Sequence, residues 1–151
     1  MKILIIYHSV HHQNTLKVAD VMAQSIEADL IDVSEANQDM LDDYDVVGFG
    51  SGIYYGKPHK KIRRFIEGLI KQENKKAFVF ITSGAGKANY PQNLSNILVE
   101  RGFEVIGEYH TKAFDTWGYL KLIGGINKGR PNQEDLQKAE DFARNLKERL
   151  Y

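Results

Sequence analysis

The 151-residue sequence contains no cysteine. That excludes disulfides, a thiolate nucleophile, zinc–cysteine sites and iron–sulfur clusters, and it fits a cytoplasmic setting. No apolar run approaches the roughly 18 residues that a membrane helix needs, so no membrane insertion is expected. Net charge is also absent, with 20 basic residues against 20 acidic ones. Nucleic-acid binding is therefore not expected, since it calls for an overall positive balance and aromatics interleaved with the basic residues. The N-terminal "MKILIIYHSV" has one lysine and no small-residue cleavage site after its apolar run, so it reads as a strand rather than a signal peptide. Repeats, low-complexity segments and linkers are missing too. The chain reads as a single domain, 1–151, long enough to bury a substantial core.

What is present is ordinary in amount and uneven in placement. Hydrophobic residues at 42% and charged residues at 26% match a globular protein. The first fifty residues hold nine acidic side chains against Lys2 and Lys17. From Lys57 to Lys76 eight basic side chains face only Glu67 and Glu73. Such segregation makes either two solvated faces or a dipolar surface that orients a partner.

Short apolar runs alternate with helical periods. Strands are expected at Ile3–Tyr7, Leu30–Val33, Asp45–Gly50, Ala77–Thr82 and Phe103–Tyr109. Helices are expected at Thr15–Glu27, Lys60–Lys71, Asn93–Arg101 and roughly Asn132–Leu150. In the first helix Leu16, Ala19, Met22, Ala23 and Ile26 share a face; in the second Ile62, Phe65, Ile66, Leu69 and Ile70 do. The last carries Leu136, Ala139, Phe142, Ala143 and Leu146. Alternating elements with near-continuous apolar strands predict an α/β fold, a doubly wound parallel sheet with helices on both faces. Lys112 to Asn132 has no clear period, and a long connection of that kind usually serves function.

In a doubly wound sheet, ligands bind beyond the carboxyl ends of the strands, at the switch point. After the first strand, "HSVHHQNT" turns from strand to helix through hydrogen-bonding side chains. A helix start offers backbone N–H donors and a favourable dipole, which together hold a phosphate. After the third strand, "GSGIYYGKP" combines flexible glycines with paired tyrosines, and after the fourth comes "TSGAGKANY". Phosphate chemistry on one loop and aromatics on the next describe a flat, phosphorylated ring ligand.

These three loops resemble those of the flavodoxin family. Its first loop reads Ser/Thr-x-Thr-Gly-Asn-Thr; in "SVHHQNT", Ser9, Asn14 and Thr15 match, and Val10 lies within it. His11 and His12 replace small residues, and Gln13 stands where the family has glycine. Gly52, Ile53, Tyr54, Tyr55 and Gly56 match the loop in which an aromatic stacks on the flavin and a glycine peptide reorients on reduction. Thr82, Ser83, Gly84, Ala85 and Tyr90 match the third flavin loop. Trp117 either anchors the long segment to the core or adds a further flavin contact.

The resemblance implies a five-stranded parallel sheet in the order 2-1-3-4-5, non-covalent flavin mononucleotide (FMN), and a soluble electron carrier serving redox partner proteins. Stacking on a tyrosine adds roughly 0.5–1.5 kcal/mol beyond area burial. Members of the family are generally strongly acidic, and this chain is neutral overall; its basic run, Lys57–Arg64, borders the ring loop and is the expected docking surface. An alternative on the same fold is a flavoenzyme of the quinone reductase or protoporphyrinogen oxidase type, because "IYYGKPHKKIRRFIE" is similar to that oxidase's loop and helix. A third is a fold member that has lost flavin, supported by Gln13.

No acid, base or nucleophile is assigned, because the chemistry belongs to the cofactor. Adjacent histidines without a third ligand make no metal site. "GAGK" at Gly84–Lys87 lacks the upstream glycine of a phosphate-binding P-loop. "GFGSG" follows the third strand instead of opening the first helix, so it is no dinucleotide fingerprint. A phosphoacceptor receiver would need acidic residues where His8-Ser9 and Gly50-Ser51 stand.

Overall fold

A computed structural model describes residues 1–10, 13–84, 87, 89–113 and 126–150. Six strands form: Ile3–Tyr7 (β1), Asp29–Asp32 (β2), Val46–Tyr54 (β3), Lys57–Pro58 (β4), Lys76–Ser83 (β5) and Glu104–Lys112 (β6). Four α-helices accompany them: Asn14–Ile26 (α1), Lys60–Glu67 (α2), Tyr90–Glu100 (α3) and Gln133–Arg149 (α4). Five strands run parallel in the order β2-β1-β3-β5-β6, the doubly wound order expected. The sixth is an addition: β4 folds back antiparallel on the end of β3, pairing Tyr54 with Lys57.

Alternation within the strands builds two cores, because successive side chains leave a strand on opposite faces. Ile3 and Ile5 join Val18 and Met22 of α1 and Ala139 and Ala143 of α4. Leu4 and Ile6 point the other way, towards Ile62 and Ile66 of α2 and Leu94 and Leu98 of α3. The glycines of "DVVGFG" serve this packing. Gly48 and Gly50 lie opposite Phe78 and Phe80 of β5, and a Cβ at either would fall 2.3 or 2.0 Å from the facing ring. They are sites of close approach within a strand, and the flexibility expected of Gly50 is not its role.

Several boundaries move for identifiable reasons. α2 stops at Glu67, because the Ile70 N–H turns away to donate to Gln38 Oε1 at 2.7 Å. Ile70 is consequently 67% exposed instead of inward. α3 starts at Tyr90, earlier than expected, with Pro91 in its first turn, where a missing N–H costs nothing. On α1 Ala19, Met22, Ala23 and Ile26 face inward as expected, while Leu16 is only half-buried and Val18 is buried with them. At α4 the Asn132 side chain accepts the Asp135 N–H while the Asp135 carboxylate accepts the Asn132 N–H, a reciprocal cap. The Arg130 guanidinium grips the same buried carboxylate with two N–H groups and holds it below the usual carboxylate range. No helix among the described residues is long and apolar enough to cross a membrane.

Candidate functional site

β1, β3 and β5 end on one edge of the sheet, at the point where the chain order reverses between β1 and β3. The loop after β1 enters α1 through Gln13, whose φ of 54° and ψ of 31° are left-handed. A glycine enters that region at no steric cost, and glutamine reaches it at a cost of about 1 kcal/mol. The turn that a glycine would give is thus kept with glutamine in its place. Gln13 makes no side-chain cap and the first turn of α1 carries no acidic residue, so nothing built into that turn neutralises its positive end.

The Ser9 hydroxyl accepts the Leu16 N–H at 3.3 Å, fastening the loop to the helix. Thr15 and Thr82 meet through their hydroxyls at 2.9 Å in a buried contact. That contact joins the loop after β1 to the end of β5 across the switch point. Beyond it, the Ser83 carbonyl accepts the Ala113 N–H at 2.9 Å, and Asn127 Nδ2 donates to the Gly84 and Ala113 carbonyls at 2.7 and 3.2 Å.

After β3 the geometry differs from a free loop. Gly52, Ile53 and Tyr54 are strand residues, and only Tyr55 and Gly56 turn, with φ of 52° and 78°. Two positive φ values in succession make the two-residue hairpin turn that matches sheet twist. The turn carries Tyr55 at its tip, 86% exposed. Tyr54 lies back over Gly52, with ring atoms 3.0–3.3 Å from where a Cβ would stand. Tyr90 falls in the first turn of α3 and packs partly into the core shared with α2, so the loop expected there ends before it. Among the other expected contacts, Val10 is half-buried beside Ser9. Asn14 is a buried residue of the first turn of α1. His11, His12, Ala85 and Trp117 lie outside the described residues.

One cluster is missing from the sequence reading. The rings of His8, at the end of β1, and His59, before α2, lie 4.3 Å apart, and Tyr54 meets His59 edge-on at 5.1 Å. His8 Nδ1 sits 3.7 Å from Asp32 Oδ1. The buried Ser51 hydroxyl accepts the His59 N–H at 2.9 Å, and His59 Nδ1 accepts the Lys61 N–H at 3.1 Å, capping α2. The "PHKK" spacing, a hydrogen-bonding residue just before a helix, was the available signal for that cap.

Accepting at Nδ1 keeps His59 neutral. Burial, with His8, Lys61, Lys60 and Arg63 nearby, lowers its pKa from 6.5 to about 4. Between those values the unfolded imidazole binds a proton that the folded one refuses, so stability falls as pH drops from 6.5 towards about 4. His59→Asn keeps an acceptor for the cap and removes the titration. Denaturant unfolding at about pH 7 and about pH 5 should give a smaller loss for the variant than for the native chain. Equal losses would show that His59 titrates normally.

A model of the flavodoxin domain family matches residues 4–116, which span β1 to the end of β6 and all three loops. The chain belongs to the flavodoxin family. It is 43% identical over 148 residues to an uncharacterized protein of Methanocaldococcus jannaschii, covering 97% of this chain and 98% of that one. Among solved structures it resembles flavodoxin 2 of Bacillus cereus, at a TM-score of 0.76 and 22% identity over 99% of both chains. It also resembles the flavodoxin of Fusobacterium nucleatum bound to flavin mononucleotide, at 0.70 and 13% over 99% of both. Family membership supports FMN as the cofactor.

Proposed function

We propose that the chain binds FMN non-covalently between the loops after β1, β3 and β5 and carries electrons one at a time between redox proteins of the cytoplasm. The contact between Thr15 and Thr82 carries this reading most directly. It sets two hydroxyls beside the acid-free start of α1, and such an assembly suits a phosphate monoester. Ser9, Val10, Gln13, Asn14 and Thr15, with His11 and His12, would hold the phosphate. Tyr55, exposed on the hairpin turn, would stack on the ring; Tyr54, leaning on His59, would brace that turn. Gly52, Ile53 and Gly56 would line the ring on this side, and Thr82, Ser83, Gly84 and Ala85 on the other; Tyr90 and Trp117 are the outer candidates.

When bound, the flavin supplies the redox chemistry. The protein's part is to hold the phosphate, orient the ring and set the hydrogen bonds and charges around it. The left-handed Gln13 counts against a fold member that has lost its cofactor, since the turn geometry survives the substitution of glycine. An anaerobic potentiometric titration of the FMN-loaded protein separates carrier from enzyme. Two resolved one-electron waves are expected. A single two-electron wave would overturn the carrier reading and direct attention to quinone and porphyrinogen substrates.

A further inference from the structure

α2 begins against the electrostatics of its own backbone. A helix N-terminus favours acidic side chains, yet Lys60 and Lys61 occupy the first turn of α2, no acidic residue does, and Arg63 and Arg64 follow directly. Lys57 adds a fifth cation from β4. Among the described residues none of the five enters an ion pair. A local rule broken without internal compensation marks a place where something outside the chain supplies the missing partner.

The cations surround an opening rather than a plain helix face. A groove of about 440 Å³ lies between the hairpin and the start of α2, lined by Val10, Tyr54, Tyr55, Lys57, Lys60 and Arg63 among others. Arg63 is fixed there by the bond from its Nε to the Pro58 carbonyl at 2.9 Å. A fixed basic rim around an opening offers complementary charge to the carboxylates of a partner. The exposed Tyr55 stands on its border, and Val10 connects the groove to the loop after β1.

Resting on the carrier reading, we propose that the basic rim of this groove is the docking site for an acidic partner protein, whose carboxylates meet Lys57, Lys60 and Arg63. The chain as a whole is neutral, so the attraction is local. A basic partner is repelled at the same place.

The test uses two protein probes of opposite charge, the acidic cytochrome b5 and the basic cytochrome c. Binding is followed through the amide signals of the native chain, and electron transfer by stopped-flow mixing of the reduced, FMN-loaded chain. Cytochrome b5 should shift the signals of residues 54–64 at about 20 mM salt, and its rate of reduction should fall about tenfold by about 200 mM. Lys60→Glu with Arg63→Glu should abolish both effects. Lys71→Glu with Lys138→Glu, which changes net charge equally, should preserve them. Overturning results are a rate and a titration indifferent to salt, equal losses in both double variants, or tighter binding of cytochrome c at low salt. Flavin content is read beforehand from visible absorbance, and the amide titration proceeds with or without flavin. A chain that holds no FMN therefore refutes the carrier reading separately.

Discussion

Gln13→Asp should weaken FMN binding about a hundredfold while leaving the flavin-free chain as stable as before or slightly more so. Both effects come from the same carboxylate. Gln13 makes no side-chain cap and the first turn of α1 carries no acid, so an aspartate there gains about 0.3–1 kcal/mol from the helix dipole. Aspartate also tolerates the left-handed conformation that Gln13 occupies better than most residues do. A bound phosphate would use the same positive end. Two like charges about 5 Å apart repel by about 3 kcal/mol at an effective dielectric of about 20, which corresponds to roughly two decades of affinity. Riboflavin, which has no phosphate, should lose little. Gln13→Gly is the control: it relieves the backbone and adds no charge, so FMN affinity should hold. Fluorescence titrations of the three proteins with both ligands decide the matter. An undiminished FMN affinity in Gln13→Asp would place the phosphate elsewhere.

Gly102→Ala should cost about 2–5 kcal/mol of stability, more than the same change at Gly56. Both glycines have positive φ, 87° and 78°. Left-handed conformation alone costs an alanine about 1–2 kcal/mol. At Gly56 nothing lies within 4 Å of the new Cβ, so that is the whole expected effect. At Gly102 the Cβ would stand 2.2 Å from the Gln72 carbonyl oxygen. That atom is backbone, held where the Gln72 N–H donates to the Arg101 carbonyl at 2.8 Å. No rotamer change relieves such a clash, and overpacking adds about 1–3 kcal/mol or more. Equilibrium unfolding in urea measures both variants. Equal losses at the two sites would mean that the chain near Gln72 yields more easily than its hydrogen bond implies.

These two glycines also show what the sequence made legible. A glycine ending a helical period before a strand, as Gly102 does, announces itself by position. Gly48 and Gly50 do not. Their role depends on which residues β5 sets opposite them, Phe78 and Phe80, and a register between strands is a property of the folded sheet. Read along the chain, Gly48 was a plain strand residue and Gly50 the start of a flexible loop, whereas both are pressed against aromatic rings. The strands themselves were plain, because a sheet covered on both faces needs unbroken apolar runs such as "ILIIY" and "AFVFITS".

The positions of the three candidate loops were legible because each follows such a run and ends at a helix or turn. The hairpin was less so. Tyr-Gly is a poor advertisement for a turn that usually takes Asn-Gly or Asp-Gly, and Tyr55 adopts positive φ only because β4 pairs back onto β3. The pairing of His8 with His59 was beyond linear reading, since two elements far apart in sequence bring the rings together. The basic run was visible as composition. Its conflict with the dipole of α2 needed the helix start to be fixed at Lys60.

The central claim is that these loops form a phosphate-selective flavin site, and one titration tests it directly. The flavin-free chain is titrated with FMN and, separately, with riboflavin, following the quenching of flavin fluorescence. One FMN should bind per chain, at least about tenfold more tightly than riboflavin, the minimum expected of charge-assisted bonds to a phosphate. Equal affinity for the two ligands, or no binding of either, would contradict the account.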